Sequence, residues 1–166
     1  MEKIIQEMVT YHCPRWEELP QLALYIDQVV LYLQENLSVF DSNSAITPAM
    51  INNYVKQKIV PPPVKKKYGR EHLAYFFVIF TMKRVTSISQ LGRILRIFTE
   101  RYSSDVAYNQ FCAELEYALK STFCPEQFPP VPYQQGAEPA LSVLRAMTVT
   151  FAHMILIDRL ELPESN

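Results

Sequence analysis

Apolar positions recur at intervals of three and four along most of this chain, the period that keeps one face of a helix turned toward a core. Ile4, Ile5, Met8 and Val9 mark a first helix over Glu2 to Tyr11, closed by His12-Cys13-Pro14. Leu22, Tyr25, Ile26, Val29, Val30, Leu33 and Leu37 predict a second over Gln21 to Leu37. A polar loop, Ser38 to Ala45, leads to Thr47-Pro48. There a third helix begins, because a threonine hydroxyl takes an orphan amide and proline suits the first helical position. It must stop by Val60, since Pro61, Pro62 and Pro63 carry no amide hydrogen and restrict the residues before them.

The pattern continues past a lysine triplet, Lys65 to Lys67. Gly69-Arg70-Glu71-His72 opens a helix to about Arg84, made strongly apolar by Leu73, Phe76, Phe77, Ile79 and Phe80. Ser87 caps the next, with Ile88, Leu91, Ile94, Leu95 and Phe98 on one face and Arg93 and Arg96 off it. Ser104-Asp105 starts a helix that Cys124-Pro125 ends near Phe123. Pro125, Pro129, Pro130 and Pro132 stiffen a strap bearing Phe128 and Tyr133, and Glu138-Pro139 begins a last helix to about Leu160. The lone tryptophan, Trp16, lies between Pro14 and Pro20 as an expected aromatic anchor. The expected fold is all-α in two parts. Residues 1–101 carry a helix-turn-helix with a short wing, and residues 102–166 form a C-terminal helical part packed on it.

Composition narrows this reading. The chain has 166 residues, 49% hydrophobic and 20% charged, ordinary values for a soluble globular protein. Three glycines argue against a sheet-rich fold and a glycine-rich phosphate cradle. Cys13, Cys112 and Cys124 show no Cys-x-x-Cys spacing, so reduced structural thiols are expected rather than disulfides or zinc. The start, Met-Glu-Lys-Ile-Ile-Gln-Glu, lacks the pattern of a secretory signal, and a cytoplasmic location is expected. The apolar runs Leu73 to Met82 and Ala146 to Ile157 fall short of the roughly 20 residues a membrane span needs, so no membrane partner is expected.

Charge changes the picture more. The formal net charge is −1, yet Thr47 to Arg101 holds eleven basic residues against two acidic ones, and the rest of the chain five against fifteen. A basic excess confined to one segment is the footprint of a nucleic-acid face on a protein that is neutral overall. It flanks the Thr47 helix, so this helix is expected to enter the major groove of duplex DNA. Thr47 and Met50 lie at its start, with Asn52, Asn53 and Lys56 as base-reading candidates, while Lys65, Lys66, Lys67 and Arg70 hold phosphates. Tyr54 shares a face with Ile51 and Val55 and is expected in the core. His12, His72 and His153 are scattered and read as structural, and no nucleophile, base and acid stand in a catalytic arrangement. No enzyme, cofactor or metal is expected.

The residues Ile46 to Leu95 resemble the DNA-binding domain of MerR-type transcription regulators, a winged helix-turn-helix. The likeness lies in the capped helix Thr47-Pro48 with Ile51 and Tyr54, the exit Ile59-Val60-Pro61, the entry Tyr68 to Leu73, and Ser87-Ile88 to Leu95. Where those regulators usually carry Arg-Tyr-Tyr, this chain has Asn52-Asn53-Tyr54. The dimerising coiled coil is missing too. Over its whole length the chain resembles a bacterial family catalogued as domain of unknown function 1836, through Met50 to Lys56 and Lys66-Lys67-Tyr68. The resemblance to the MerR-type domain implies a DNA-binding transcriptional regulator, and the resemblance to the second family implies no activity. The alternative is a protein-protein adaptor on the same scaffold, docking through the last helix. That helix also suggests a homodimer, and Met147, Phe151 and Met154 suggest a pocket for a small apolar effector.

Overall fold

Seven α-helices organise the described residues, 1–41 and 45–160, of the computed structural model: α1 (Glu2–Val9), α2 (Ile26–Leu37), α3 (Pro48–Lys56), α4 (Arg70–Met82), α5 (Ile88–Arg101), α6 (Ser104–Phe123) and α7 (Pro139–Arg159). One 3-10 turn, Trp16–Glu18, precedes α2. The all-α expectation holds. Three helix starts follow from side chains that satisfy first-turn amides: Thr47 accepts from the Met50 amide at 3.3 Å, Ser87 from Gln90 at 3.1 Å and Glu138 from Leu141 at 2.7 Å. Each cap of this kind contributes about 1 kcal/mol.

Two compact units divide the chain, Cys13–Cys112 and Met1–His12 with Ala113–Asn166. The division expected from the sequence lay at 101/102; the boundary between the units falls inside α6. In the unit 13–112 the core is built around α4, which buries nine of its thirteen residues. Phe76, Phe77, Leu73, Ile79 and Met82 are wholly enclosed, together with Val29 and Leu33 of α2, Ile51 of α3 and Leu91 of α5. At about 2 kcal/mol for each large side chain enclosed, α4 is the main source of cohesion here. Tyr32 meets Phe77 edge-on at 6.0 Å and Tyr54 meets Phe80 edge-on at 5.6 Å, so Tyr54 is core, as its spacing predicted.

The second helix begins five residues later than its hydrophobic pattern indicates. Residues 21–25 are not helical: the Leu24 amide donates to the Tyr68 carbonyl and the Tyr68 amide to the Leu24 carbonyl, both at 2.8 Å. Leu22, counted with the apolar stripe, is 82% exposed. A non-local pair of hydrogen bonds won over local periodicity. The start of α2 is set instead by Gln28, whose side chain accepts the Tyr25 amide at 2.9 Å.

At the other end of this unit, the Tyr108 hydroxyl donates to the Pro14 carbonyl at 2.7 Å, and the Cys112 thiol reaches the same oxygen at 3.6 Å. Burial pushes the Tyr108 hydroxyl far above its ordinary value. The neighbouring Cys112 thiol, and then burial, raise Cys13. All three cysteines are buried thiols, as expected of structural ones. Trp16 is half-buried, its amide donating to Asn109 at 2.8 Å.

In the other unit α7 turns Ala140, Leu144, Met147, Thr148, Phe151, Ala152 and Ile155 inward. Its Arg145 pairs with Glu114 at 3.1 Å, and His12 with Glu116 at 3.3 Å. The opposite face leaves Val143, Val149 and Ile157 exposed, so the helix is not enclosed on every side. At 21 residues, with a mean hydropathy of 1.7 over its most apolar stretch, α7 is long and apolar enough to cross a membrane. The helix is longer than the uninterrupted apolar run Ala146 to Ile157, which it extends at both ends. Of that stretch, 39% is buried within the protein, the pattern of a helix packed on one side.

Candidate nucleic-acid interface

The outward face of α3 carries the residues expected to read bases. Asn52, Asn53 and Lys56 are exposed, Met50 and Thr47 are half-buried at the helix start, and Ile51 and Tyr54 anchor the opposite face. Residues three and four apart neighbour each other on a helix, so Lys56 stands beside both asparagines. Among the described residues, neither asparagine amide nor the Lys56 ammonium has a side-chain partner.

The end of α3 is unusual in its residue, not in its geometry. The Lys58 amide donates to the Val55 carbonyl at 3.0 Å and the Ile59 amide to Tyr54 at 3.1 Å, the paired bonds of a Schellman cap. That cap needs a left-handed residue, ordinarily glycine; here it is Lys58, at φ 59°. The three prolines then carry the chain out to Val64.

Val64 and Lys67 exchange both backbone hydrogen bonds at 3.0 Å, closing a two-residue turn over Lys65 and Lys66. Their φ angles, 50° and 63°, are those of a type I′ turn, which asparagine and glycine populate readily and lysine does not. The left-handed conformation costs a residue with a side chain about 1–2 kcal/mol. Lys65 and Lys66 are exposed, and Lys67 lies with its ammonium 5.1 Å from the centre of the Tyr25 ring. The loop expected as a short wing is therefore a tight turn with lysines at its tip.

Its base is fixed by Tyr68 and by His72, the histidine whose expected role was structural. Tyr68, the residue after the turn, is tied to Leu24 as described and packs on Phe76 at 5.8 Å. His72 accepts the Gly69 amide on Nδ1 at 3.0 Å and faces the Pro62 carbonyl with Nε2 at 3.1 Å. Because Nδ1 accepts, the proton sits on Nε2 and donates to Pro62. One neutral imidazole thus joins the residue that opens the loop to the residue that closes it. The signal was present in the position of His72, three residues after the Gly69 cap, where a side chain reaches back to the cap amide. Its second bond is non-local and has no sequence signature.

Arg70 does not join the lysines. Its Nε donates to the Leu19 carbonyl at 3.2 Å and one terminal nitrogen to Glu17 at 3.4 Å, so its fork braces the 3-10 turn. It was expected to hold phosphate; the structure gives two of its donors to the backbone. In the unit containing α7, a cavity of about 260 Å³ is lined by Glu114, Ser121, Arg145, Thr148 and His153, with Val131 of the strap. Met147, Phe151 and Met154, expected around an apolar effector, are not among its lining residues. Met147 and Phe151 are core. No group of three metal-ligating side chains occurs among the described residues.

The comparisons with known proteins agree with the division into units. Neither a curated protein nor a solved structure matches the chain significantly. One family model does, over residues 14–111, almost the span of the unit 13–112 and more than half of the chain. The chain therefore belongs to the family described as Domain of unknown function (DUF1836).

Proposed function

We propose that this protein binds duplex DNA as a transcriptional regulator of the winged helix-turn-helix kind, with α3 as the recognition helix and the Val64–Lys67 turn as a minimal wing. The observation that carries the reading is the strained tip: Lys65 and Lys66 occupy positions where asparagine and glycine would be cheaper, and both are exposed with no ion-pair partner among the described residues. Strain kept at an exposed cationic turn is explained by a partner that needs the cations there. In this reading α3 lies in the major groove. Asn52 or Asn53 pairs with an adenine edge, contributing about 1–3 kcal/mol of discrimination for a bidentate contact. Lys56 stands beside the asparagines at the base edges, while Lys65, Lys66 and Lys67 hold phosphates, which gives affinity and salt dependence but no sequence reading. Arg70 is left out of the contact set, because its donors hold backbone.

The regulator is proposed to act in the cytoplasm as a homodimer, because a palindromic site requires two copies and the exposed stripe Val143, Val149 and Ile157 on α7 offers an apolar face. A monomer in light scattering at micromolar concentration would remove the dimer from this proposal. The DNA reading is tested by fluorescence anisotropy on duplexes from the gene's own upstream region at two salt concentrations. Wild type is expected to weaken steeply with salt. The combined variant Lys65→Ala, Lys66→Ala, Lys67→Ala is expected to bind more weakly and to lower the salt slope by up to about 3. A folded wild-type protein that binds no duplex at low salt overturns it.

A further inference from the structure

Helix α5 carries a glycine near its middle. Gly92 is a costly choice there, because glycine loses more backbone freedom on folding than any other residue. The fold does not demand it. A Cβ at Gly92 would meet Ile59 Cγ1 at 3.6 Å, an ordinary contact, and its φ is not left-handed. What the missing side chain does is keep open the floor of a groove of about 1030 Å³, bounded by the last turn of α3 with the chain that follows it, by Tyr75 of α4, and by α5.

The groove has a definite chemistry. Ile59, Tyr75, Ile88 and Leu95 give it a half-buried apolar floor. Lys56 and Lys58 stand on the α3 side and Arg96 on the α5 side, all exposed, and no acidic residue lines it. Among the described residues none of these three cations has an ion-pair partner. A nucleic-acid backbone would use the rim but has no use for an apolar floor. A helix with an apolar stripe between acidic flanks uses both, its anchors spaced at i, i+3, i+4 and i+7.

We propose that this groove is a docking site for an acidic amphipathic helix of a partner protein, with its apolar anchors on Ile59, Ile88 and Leu95 and its carboxylates on Lys56, Lys58 and Arg96. The groove shares Lys56 with the proposed DNA face and reaches Pro62 at the base of the turn, but its floor of Ile59, Ile88 and Leu95 takes no part in that face, so the site stands whether or not the chain binds DNA.

The test titrates the intact chain against a fluorescent peptide of about four helical turns, leucines on one face and glutamates on the other. Two controls accompany it: the same peptide with lysine at each glutamate, and one whose leucines no longer share a face. The acidic peptide is expected to bind at least about tenfold more tightly than either control. Gly92→Leu fills the floor and is expected to weaken it about tenfold, with duplex affinity and the circular dichroism spectrum unchanged. Should Gly92→Leu fail to fold, Lys58→Gln with Arg96→Gln carries the test by flattening the salt dependence of peptide binding. Equal affinity for the acidic and the scrambled peptide overturns the proposal. So does a folded Gly92→Leu protein that binds like wild type, or a dimer abolished by Gly92→Leu, which would make a second copy the occupant.

Discussion

Two places in the unit 13–112 break the local rules of sequence in opposite directions. At Lys58, Lys65 and Lys66 the backbone takes the left-handed conformation that favours glycine, and the chain supplies lysine. At Gly92 the backbone is helical with room for a side chain, and the chain supplies glycine. Both choices cost stability: the three lysines are exposed, and half-buried Gly92 leaves unmade the contact a Cβ would have with Ile59. The first adds charge where the fold would prefer none; the second removes bulk where the fold would accept it. Sequences are locally consistent where only stability matters, and depart from consistency where something else is being served. The difference also separates two kinds of demand: a tip that must project, and a floor that must stay clear.

Four variants sharpen or break this comparison. The largest effect on stability is expected from His72→Leu, which strands the Gly69 amide and the Pro62 carbonyl together. A loss of about 2 kcal/mol or more is expected in urea unfolding, because each polar group left without a partner costs about 1–3 kcal/mol. A neutral result would mean that water replaces both bonds and that the turn is not held from its base. Next comes the pair Lys65→Asn with Lys66→Gly, the residues a type I′ turn prefers. It should raise stability by about 1–2 kcal/mol while weakening duplex binding. If stability falls, the lysines are not strained and the first half of the comparison fails.

Gly92→Ala should stabilise by about 0.5–1 kcal/mol, seen as a higher midpoint of thermal unfolding. Destabilisation would show that the fold itself requires the glycine, removing the second half. The smallest effect is expected from Asn52→Ala on α3, an exposed side chain: unfolding should change by less than about 0.5 kcal/mol, as for surface sites away from special features. A larger loss would mean that this amide serves the helix and is not free to read a base.

Much of the helical framework was legible, and for local reasons. Thr47, Ser87 and Glu138 announce helix starts because a cap is a bond between residues three apart, which a sequence displays directly. The burial of Ile51, Tyr54, Leu73 and Phe76 follows from periodicity in the same way. What stayed hidden is non-local. The bond pair between Leu24 and Tyr68 unwinds the expected start of α2, and nothing near Leu24 signals it. The His72 clamp needs Pro62, ten residues away across the turn. The turn itself was masked because its lysines are the residues least expected in it. Arg70 reads as one more cation in a basic segment because its carbonyl partners, Leu19 and Glu17, lie 51 and 53 residues away in the chain.

The three prolines before the turn have a further consequence. A hairpin at a protein surface exposes strand edges, and free amide and carbonyl groups along an edge invite a foreign strand to pair with them, the first step toward aggregation. Pro61, Pro62 and Pro63 have no amide hydrogen to offer, and the Pro62 carbonyl is already taken by His72. On the other arm, the Tyr68 amide and carbonyl are both spent on Leu24. The turn can therefore carry its lysines far from the core without becoming a template for other chains: it ends where its own hydrogen bonds end.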